Sequence, residues 1–189
     1  MSGIIRGYIR IVDVVNLRVG RIMMYGIFAL MAILFWSSVS KTFFVPSLWT
    51  LEMAQFVMVA YYILGGPYSI QLGSNVRMDL LYGEWSLRKK AWFDLLTVTF
   101  LIFYLCVLLY GAVSSTAYSL GYWGTTPFSF FGGLITGAEE IGRMERSSTA
   151  WRPYLWPIKT IMIIGMFLML LQCISELLKD FLRIKGEVI

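Results

Sequence analysis

The chain has 189 residues, of which 58% are hydrophobic and only 14% are charged. Soluble domains usually carry about 25% charged residues, and a chain of this length still exposes much of its surface. Together with a mean hydropathy of +0.71, these values exclude an ordinary soluble domain and indicate a membrane protein. The net charge of +5 is typical of membrane proteins with basic cytoplasmic segments. Because the charges form no dense patch, we expect no nucleic-acid partner.

The composition also excludes several kinds of active site. The sequence has no histidine, which excludes bis-histidine haem, HExxH zinc sites and histidine proton relays. Cys106 and Cys173 each lie in an apolar run, where small buried cysteines are common. The sequence contains no nucleophile–base set, P-loop or GxGxxG motif. We therefore expect no enzyme activity, cofactor or metal site.

Residues 1–21 differ from the apolar runs that follow. Arg6, Arg10 and Asp13 recur at steps of three and four, and isoleucines and valines fill the remaining arc. This pattern predicts an amphipathic helix that lies on the bilayer surface. The alternative is a plain cytoplasmic extension of the first membrane span.

Four later segments are each long and apolar enough to cross about 30 Å of hydrocarbon. They are residues 22–43, 48–72, 91–117 and 154–178. Tryptophans lie near several of their ends, as expected at the level of the lipid headgroups. We therefore predict a single all-α membrane domain over residues 1–189. It is an integral four-helix bundle with an N-terminal amphipathic surface helix and a long loop between its third and fourth helices.

The distribution of lysine and arginine predicts the orientation. Eleven of them lie in the N-terminal tail, the second link and the C-terminal tail, against five in the first and third links and the start of the fourth span. The positive-inside rule then places both termini in the cytoplasm. The long loop, residues 118–153, then faces the outside. It begins rich in aromatic residues and glycine, and its polar part, "AEEIGRMERSSTAW", predicts one short helix.

Charged residues within the predicted spans are candidates for function. Glu52 and Asp94 lie near predicted helix N-termini, where the helix dipole favours a carboxylate, and Lys159 and Glu176 lie near span ends. All four therefore also suit a structural role. No charge lies at mid-span, which indicates an auxiliary or scaffold protein. The alternative is a standalone four-helix, proton-coupled exporter that uses Glu52.

The order of these segments resembles a known family. The second span reads "LWTLEMAQFVMVAYYILGGPYSIQLGSNVRMDLLY", the third opens "LRKKAWFDLLTVTF", and the outer link closes "ERSSTAWRPYLWPIK". With the fourth span "LMLLQCISELLKD", this is similar to the small, Q-type (DctQ-like) membrane subunit of tripartite ATP-independent periplasmic (TRAP) transporters. The family usually has histidine before the "VRxD" segment, and Asn75 takes that place here.

The resemblance implies a function and partners. The chain is expected to be the small permease subunit of a sodium-coupled, binding-protein-dependent importer of an organic acid in the bacterial inner membrane. Its partners would be a large membrane subunit in about equal number, a transient periplasmic substrate-binding protein, and phospholipids. The small subunit is implied to scaffold the large one and to have no substrate-binding residue of its own.

Two hypotheses concern particular residues. Arg77 and Asp79 are expected to organise the turn after the second span, by pairing with each other or with the large subunit. The outer link around residues 139–156 is expected to meet the binding protein or the outer face of the large subunit, or else to rest on lipid. The candidate subunit-interface or structural residues are Glu52, Arg77, Asp79, Asp94, Glu139, Glu140, Arg143, Trp151, Arg152, Trp156 and Lys159.

Overall fold

The computed structural model describes the backbone of residues 2–73 and 87–184. Over these residues the protein is helical, and its only extended pairing is a single bridge between Arg146 and Tyr154. The helices are α1 (Ser2–Met24), α2 (Gly26–Phe43), α3 (Thr50–Gln71), α4 (Leu87–Ser119), α5 (Pro127–Thr136) and α6 (Trp156–Ile184). The all-α prediction is therefore confirmed for the described part of the chain.

Three helical segments of the described chain are long and apolar enough to cross a membrane. They are Gly3–Phe43, Leu95–Ser119 and Trp156–Leu182. The helix α3 has 22 residues and occupies the predicted second span. Tyrosines, glutamines and a Gly-Gly-Pro stretch lower its hydropathy, and it is not among the three. Its crossing of the membrane therefore stays a prediction.

The first two helices are separated only by Tyr25. Helix α1 has the predicted amphipathic character, and it exposes arginines along its length. Its buried residues include Ile9, Val12 and Asn16, which lie on the side that packs against α3 and α6. Part of the arc predicted to face lipid thus contacts the protein itself, whereas Ile4 and Ile11 remain exposed.

The long helices pack in a row. Helix α2 packs on α3, α3 packs on α6, and α6 packs on α4, while α1 packs on both α3 and α6. Within the described residues, α2 and α4 make no more than marginal contact with each other. The arrangement therefore differs from a closed four-helix bundle, in which the outer helices would meet.

Close approach in this row depends on small residues. A Cβ atom at Gly165 of α6 would overlap the Ile63 side chain and lie 3.1 Å from the Ile63 carbonyl oxygen. A Cβ atom at Gly20 of α1 would likewise overlap the Tyr68 ring. Small residues at helix contacts are the usual means of close packing in lipid, where no hydrophobic force draws helices together.

The link between α4 and α6 corrects one prediction. Its helix, α5, forms from the apolar stretch "PFSFFGGLIT", and residues 137–155 contain no α-helix. The stretch predicted as a helix, residues 138–151, is therefore irregular. Pro127 starts α5 at a position where a missing N–H costs nothing, and Gly137, at φ +73°, ends it in the left-handed conformation. The polar stretch instead uses its side chains to contact the ends of other helices.

We expect Gly165→Ala to destabilise the purified protein by about 1–3 kcal/mol, because the added methyl group has no space between α6 and α3. The control is Gly111→Ala in α4, where an added Cβ meets no atom within 4 Å. Thermal unfolding in detergent measures both. Equal midpoints for the two variants would contradict the close packing of α3 on α6.

Candidate functional site

Polar side chains gather at the two ends of the helix row. The end that carries the α4–α6 link is called the loop end, and the end that carries α1 is called the tail end. At the loop end, Glu52 lies in the first turn of α3 and is only 4% exposed. The Ser147 hydroxyl donates to Glu52 Oε1 at 2.7 Å, and the Thr149 hydroxyl donates to the same oxygen. These bonds attach the link to the start of α3.

A second carboxylate attaches the link to α4 and α6. The Glu145 carboxylate accepts a hydrogen bond from Ser119 at 2.6 Å and forms an ion pair with Lys159 at 2.7 Å. Lys159 lies in the first turn of α6, where the helix dipole disfavours a cation. Its ammonium also donates to the Ser115 carbonyl at 3.3 Å. The ion pair with Glu145 therefore compensates for an otherwise unfavourable position.

The same contacts change the acidity of Glu145. The hydrogen bonds from Lys159 and Ser119 lower the pKa of this carboxyl below its ordinary value of 4.5. A lowered pKa means that the ion pair contributes to stability above the unfolded value and that this contribution is lost as the pH falls through the lowered one. Attachment of the link through Glu145 therefore persists at mildly acidic pH.

Beside Glu145 lies an open cleft of about 790 Å³, called the arginine cleft. Its charged lining residues are Arg143, Arg146, Arg152 and Glu145, and its aromatic ones are Tyr118, Trp123 and Tyr154. The Arg146 guanidinium lies 4.4 Å from the centre of the Tyr154 ring. Arg152 has a φ of +51°, which is uncommon for any residue but glycine.

At the tail end, α1 is bonded to α6 through a set of residues called the tail-end cluster. They are Asp13, Asn16, Gln172, Ser175, Glu176 and Lys179. Asn16 donates to Gln172 at 2.7 Å, and Gln172 donates to Asp13 at 3.0 Å and to Glu176 at 3.1 Å.

An ammonium group completes this cluster. Lys179 pairs with Asp13 at 2.8 Å and with Glu176 at 2.7 Å. Gln71, the last residue of α3, donates to the Asp13 carbonyl at 3.3 Å. Three helices therefore meet at Asp13.

A known family of transporter components matches most of the chain. The family described as "Tripartite ATP-independent periplasmic transporters, DctQ component" matches residues 30–183. The chain belongs to the DctQ family. The match includes the whole loop-end set and the α6 half of the tail-end cluster. No significant match to a curated protein or to a solved structure was found.

The structure places the predicted site residues of this DctQ component in different settings. Glu52 and Lys159 lie at the loop end with the partners described above. Glu139, Glu140, Arg143 and Arg152 are exposed on the link, and Trp151 and Trp156 are about 40% exposed. Arg77 and Asp79 lie outside the described residues.

Asp94 requires a correction. It lies in α4, which begins at Leu87, so it is two turns inside the helix instead of at the N-terminus. The argument from the helix dipole therefore does not apply to it, because that effect is confined to the first turn.

The sequence reasoning missed the tail-end cluster and Glu145. The sequence pattern places Asp13 on the polar face of α1 but indicates no partner for it. On α6, Gln172, Glu176 and Lys179 recur at steps of four and three, which places them on one face of the helix. Matching these two polar faces was a signal that could have identified the contact between α1 and α6.

We expect Glu52→Ala to release the link of this DctQ component from α3. The change removes the acceptor of two hydroxyl donors, and each hydrogen bond to a charged group contributes about 1.5–3 kcal/mol. Hydrogen exchange of residues 145–149 should become faster. Glu52→Gln keeps an acceptor oxygen in the same place and should retain most of the protection. Faster exchange in both variants alike would show that the carboxylate charge, and not the acceptor, holds the link.

We expect Lys179→Met to detach α1 from α6, since it leaves Asp13 and Glu176 without their cation in a partly buried site. Removing one partner of such a pair costs about 3 kcal/mol or more. Trypsin should then cut at the exposed Arg10 and Arg18 more rapidly.

Two variants control this experiment. Arg10→Met removes an exposed charge from α1 and should leave stability unchanged. The double variant with Asp13→Asn should recover part of the loss, because the uncompensated charge on α1 is gone. Unchanged stability of Lys179→Met would contradict the role of the cluster.

Proposed function

We propose that the chain is the small permease subunit of a sodium-coupled, binding-protein-dependent importer of an organic acid, and that it scaffolds the large membrane subunit. Membership of the DctQ family identifies a component of a TRAP transporter. The observation that carries the scaffold role is the open row of helices. Its two outer helices expose large apolar side chains, such as Phe28 and Phe35 on α2 and Phe100 and Phe103 on α4. These surfaces are available to lipid and to a larger membrane partner.

The proposed topology has four spans, with α3 as the second. Helix α3 packs on both α2 and α6, and the loop end of the row includes the start of α3 because Glu52 contacts the link. The basic tails and the basic second link favour the cytoplasm for the tail end. The loop end then faces the periplasm of the bacterial inner membrane.

We further propose that the link meets the periplasmic binding protein. Glu139 and Glu140 are exposed side by side, while the segment after them is attached to three helices through Glu52, Glu145 and Lys159. A segment held in this way can present charged residues in a fixed position, which reduces the entropy lost on binding.

The exporter alternative has less support. It requires Glu52 to face a cavity and to exchange protons during transport. Instead, Glu52 is buried and accepts hydrogen bonds from Ser147 and Thr149. These contacts suit a carboxylate that fixes a loop in place.

Purification of the C-terminally tagged protein from native membranes tests the subunit role. We expect a large polytopic membrane protein to co-purify in equal amount, because the small subunit supports the large one. Mass spectrometry identifies the partner and its proportion. Purification of a lone chain or of a stable homodimer would contradict the proposal. It would favour the exporter alternative, and Glu52 would then be the next residue to examine.

We expect the double variant Glu139→Gln/Glu140→Gln to slow substrate uptake in whole cells several-fold, while the membrane complex still co-purifies. Loss of two exposed charges should mainly reduce the rate of association with a charged partner. The control is Lys41→Gln, which removes an exposed charge from the last turn of α2 at the same end. If uptake by the double variant equals that of the control, the acidic pair does not dock the binding protein.

A further inference from the structure

The arginine cleft carries an excess of positive charge. Three arginines and one glutamate are its charged lining residues, and the glutamate, Glu145, is already paired with Lys159. Within the described residues, Arg143 and Arg152 form no ion pair. The cleft therefore offers arginine N–H groups to an anion, because the Glu145 carboxylate beside them is already paired with Lys159.

The cleft lies at the boundary between apolar and polar surroundings. Tyr118 is in the last turn of α4, whose candidate span ends at Ser119. The Trp123 ring packs 4.8 Å from the Tyr118 ring and is 79% exposed. Tyrosine and tryptophan in such positions are typical of the headgroup level of a bilayer.

The position of the neighbouring helix α5 also indicates that the cleft lies at the headgroup level of the bilayer. Residues 121–138 carry no charge, and the Phe128 ring lies 6.1 Å from the ring of Tyr110. Tyr110 precedes Ser119 by nine residues, or about 13 Å along the helix axis. Phe128 and Ile135 are 62% and 87% exposed. The uncharged part of the link therefore extends along the apolar length of α4, next to the cleft.

From these features we propose that the arginine cleft binds the phosphate of a membrane phospholipid, whose acyl chains lie along α4 and α5. Arginine donates two parallel hydrogen bonds to phosphate, and this paired geometry is the reason that arginine is common where phosphate is recognised. The aromatic walls and the exposed α5 side chains provide the apolar contact that an isolated phosphate would not use. This lipid site goes beyond the transporter role and does not depend on it.

An acidic segment of a protein partner is the competing occupant. It would need only the arginines, whereas the cleft combines them with aromatic rings at the end of a membrane span. The exposed acidic pair of the link, Glu139 and Glu140, is not among the lining residues. A lipid therefore accounts for both the charge and the apolar surroundings of the cleft.

Native mass spectrometry of the full-length protein tests the site directly. The purified chain is titrated with phosphatidylglycerol and, separately, with phosphatidylethanolamine. We expect Arg143→Gln/Arg152→Gln to reduce occupancy of the tightest-bound lipid at least tenfold. The control, Arg10→Gln/Arg18→Gln, removes two exposed arginines from α1 and should leave that occupancy unchanged. Equal occupancy in the two double variants would overturn the proposal.

A second measurement uses the unaltered protein, so that it does not depend on the folding of a variant. A phosphatidylglycerol with a photoreactive group near its headgroup is added to the chain in vesicles, and the labelled peptide is sequenced. We expect labelling within residues 142–154. Labelling only elsewhere overturns the lipid site. Cross-linking of a glutamate-rich peptide to residues 142–154, with no labelling of these residues by the lipid, would also overturn the lipid site and favour an acidic protein partner.

Discussion

A membrane protein must join its helices without help from the hydrophobic effect, since lipid tails are as apolar as the helix surfaces that they cover. Cohesion then depends on close packing and on polar contacts. In this chain the close packing occurs at positions such as Gly165 and Gly20, where α3 meets α6 and α1. The polar contacts are concentrated at the two ends of the row, and the rest of the structure depends on them.

The polar contacts at the two ends hold different parts of the structure in place. At the tail end, Asp13 receives contacts from residues of α3 and α6, which fixes the direction of α1 relative to the row. At the loop end, Glu52 and Glu145 receive contacts from the link and from α4 and α6. A long irregular segment is thus held against three helices. The described contacts at both ends are made between residues of this chain. The lateral surfaces of the helix row are therefore available to lipid and to a partner subunit.

Polar contacts at the ends and available apolar surfaces along the sides suit a scaffold subunit. Glu52, a carboxylate that stands out in the sequence, attaches the link to the start of α3. Fixed loops and a fixed N-terminal helix increase the rigid surface that a small subunit of a TRAP transporter offers. A lipid in the arginine cleft would extend that rigid surface into the bilayer at the loop end.

The sequence predicted the helical class, the family and the amphipathic character of α1, because hydropathy and helical periodicity depend on residue type alone. The sequence did not predict which helices pack against each other. Hydropathy shows that α2 and α4 are apolar, but it does not show that they lie at opposite sides of the row. Periodicity likewise identified a polar face on α1 without its partner on α6. The polar stretch, residues 138–151, predicts the short helix of the link, whereas the apolar "PFSFFGGLIT" forms it. There, Pro127 and Gly137 supply the start and stop signals.

The open row is tested most directly by thiol cross-linking in membranes, after Cys106 and Cys173 are replaced by serine. Single cysteines at residues 33–36 of α2 are paired with single cysteines at residues 108–111 of α4, so that every face of each helix is sampled. The pair Gly66→Cys/Met169→Cys, at a contact between α3 and α6, is the positive control. We expect a short bifunctional reagent to link the control pair and none of the α2–α4 pairs. Efficient linking of any α2–α4 pair within one chain would show a closed bundle and contradict the row.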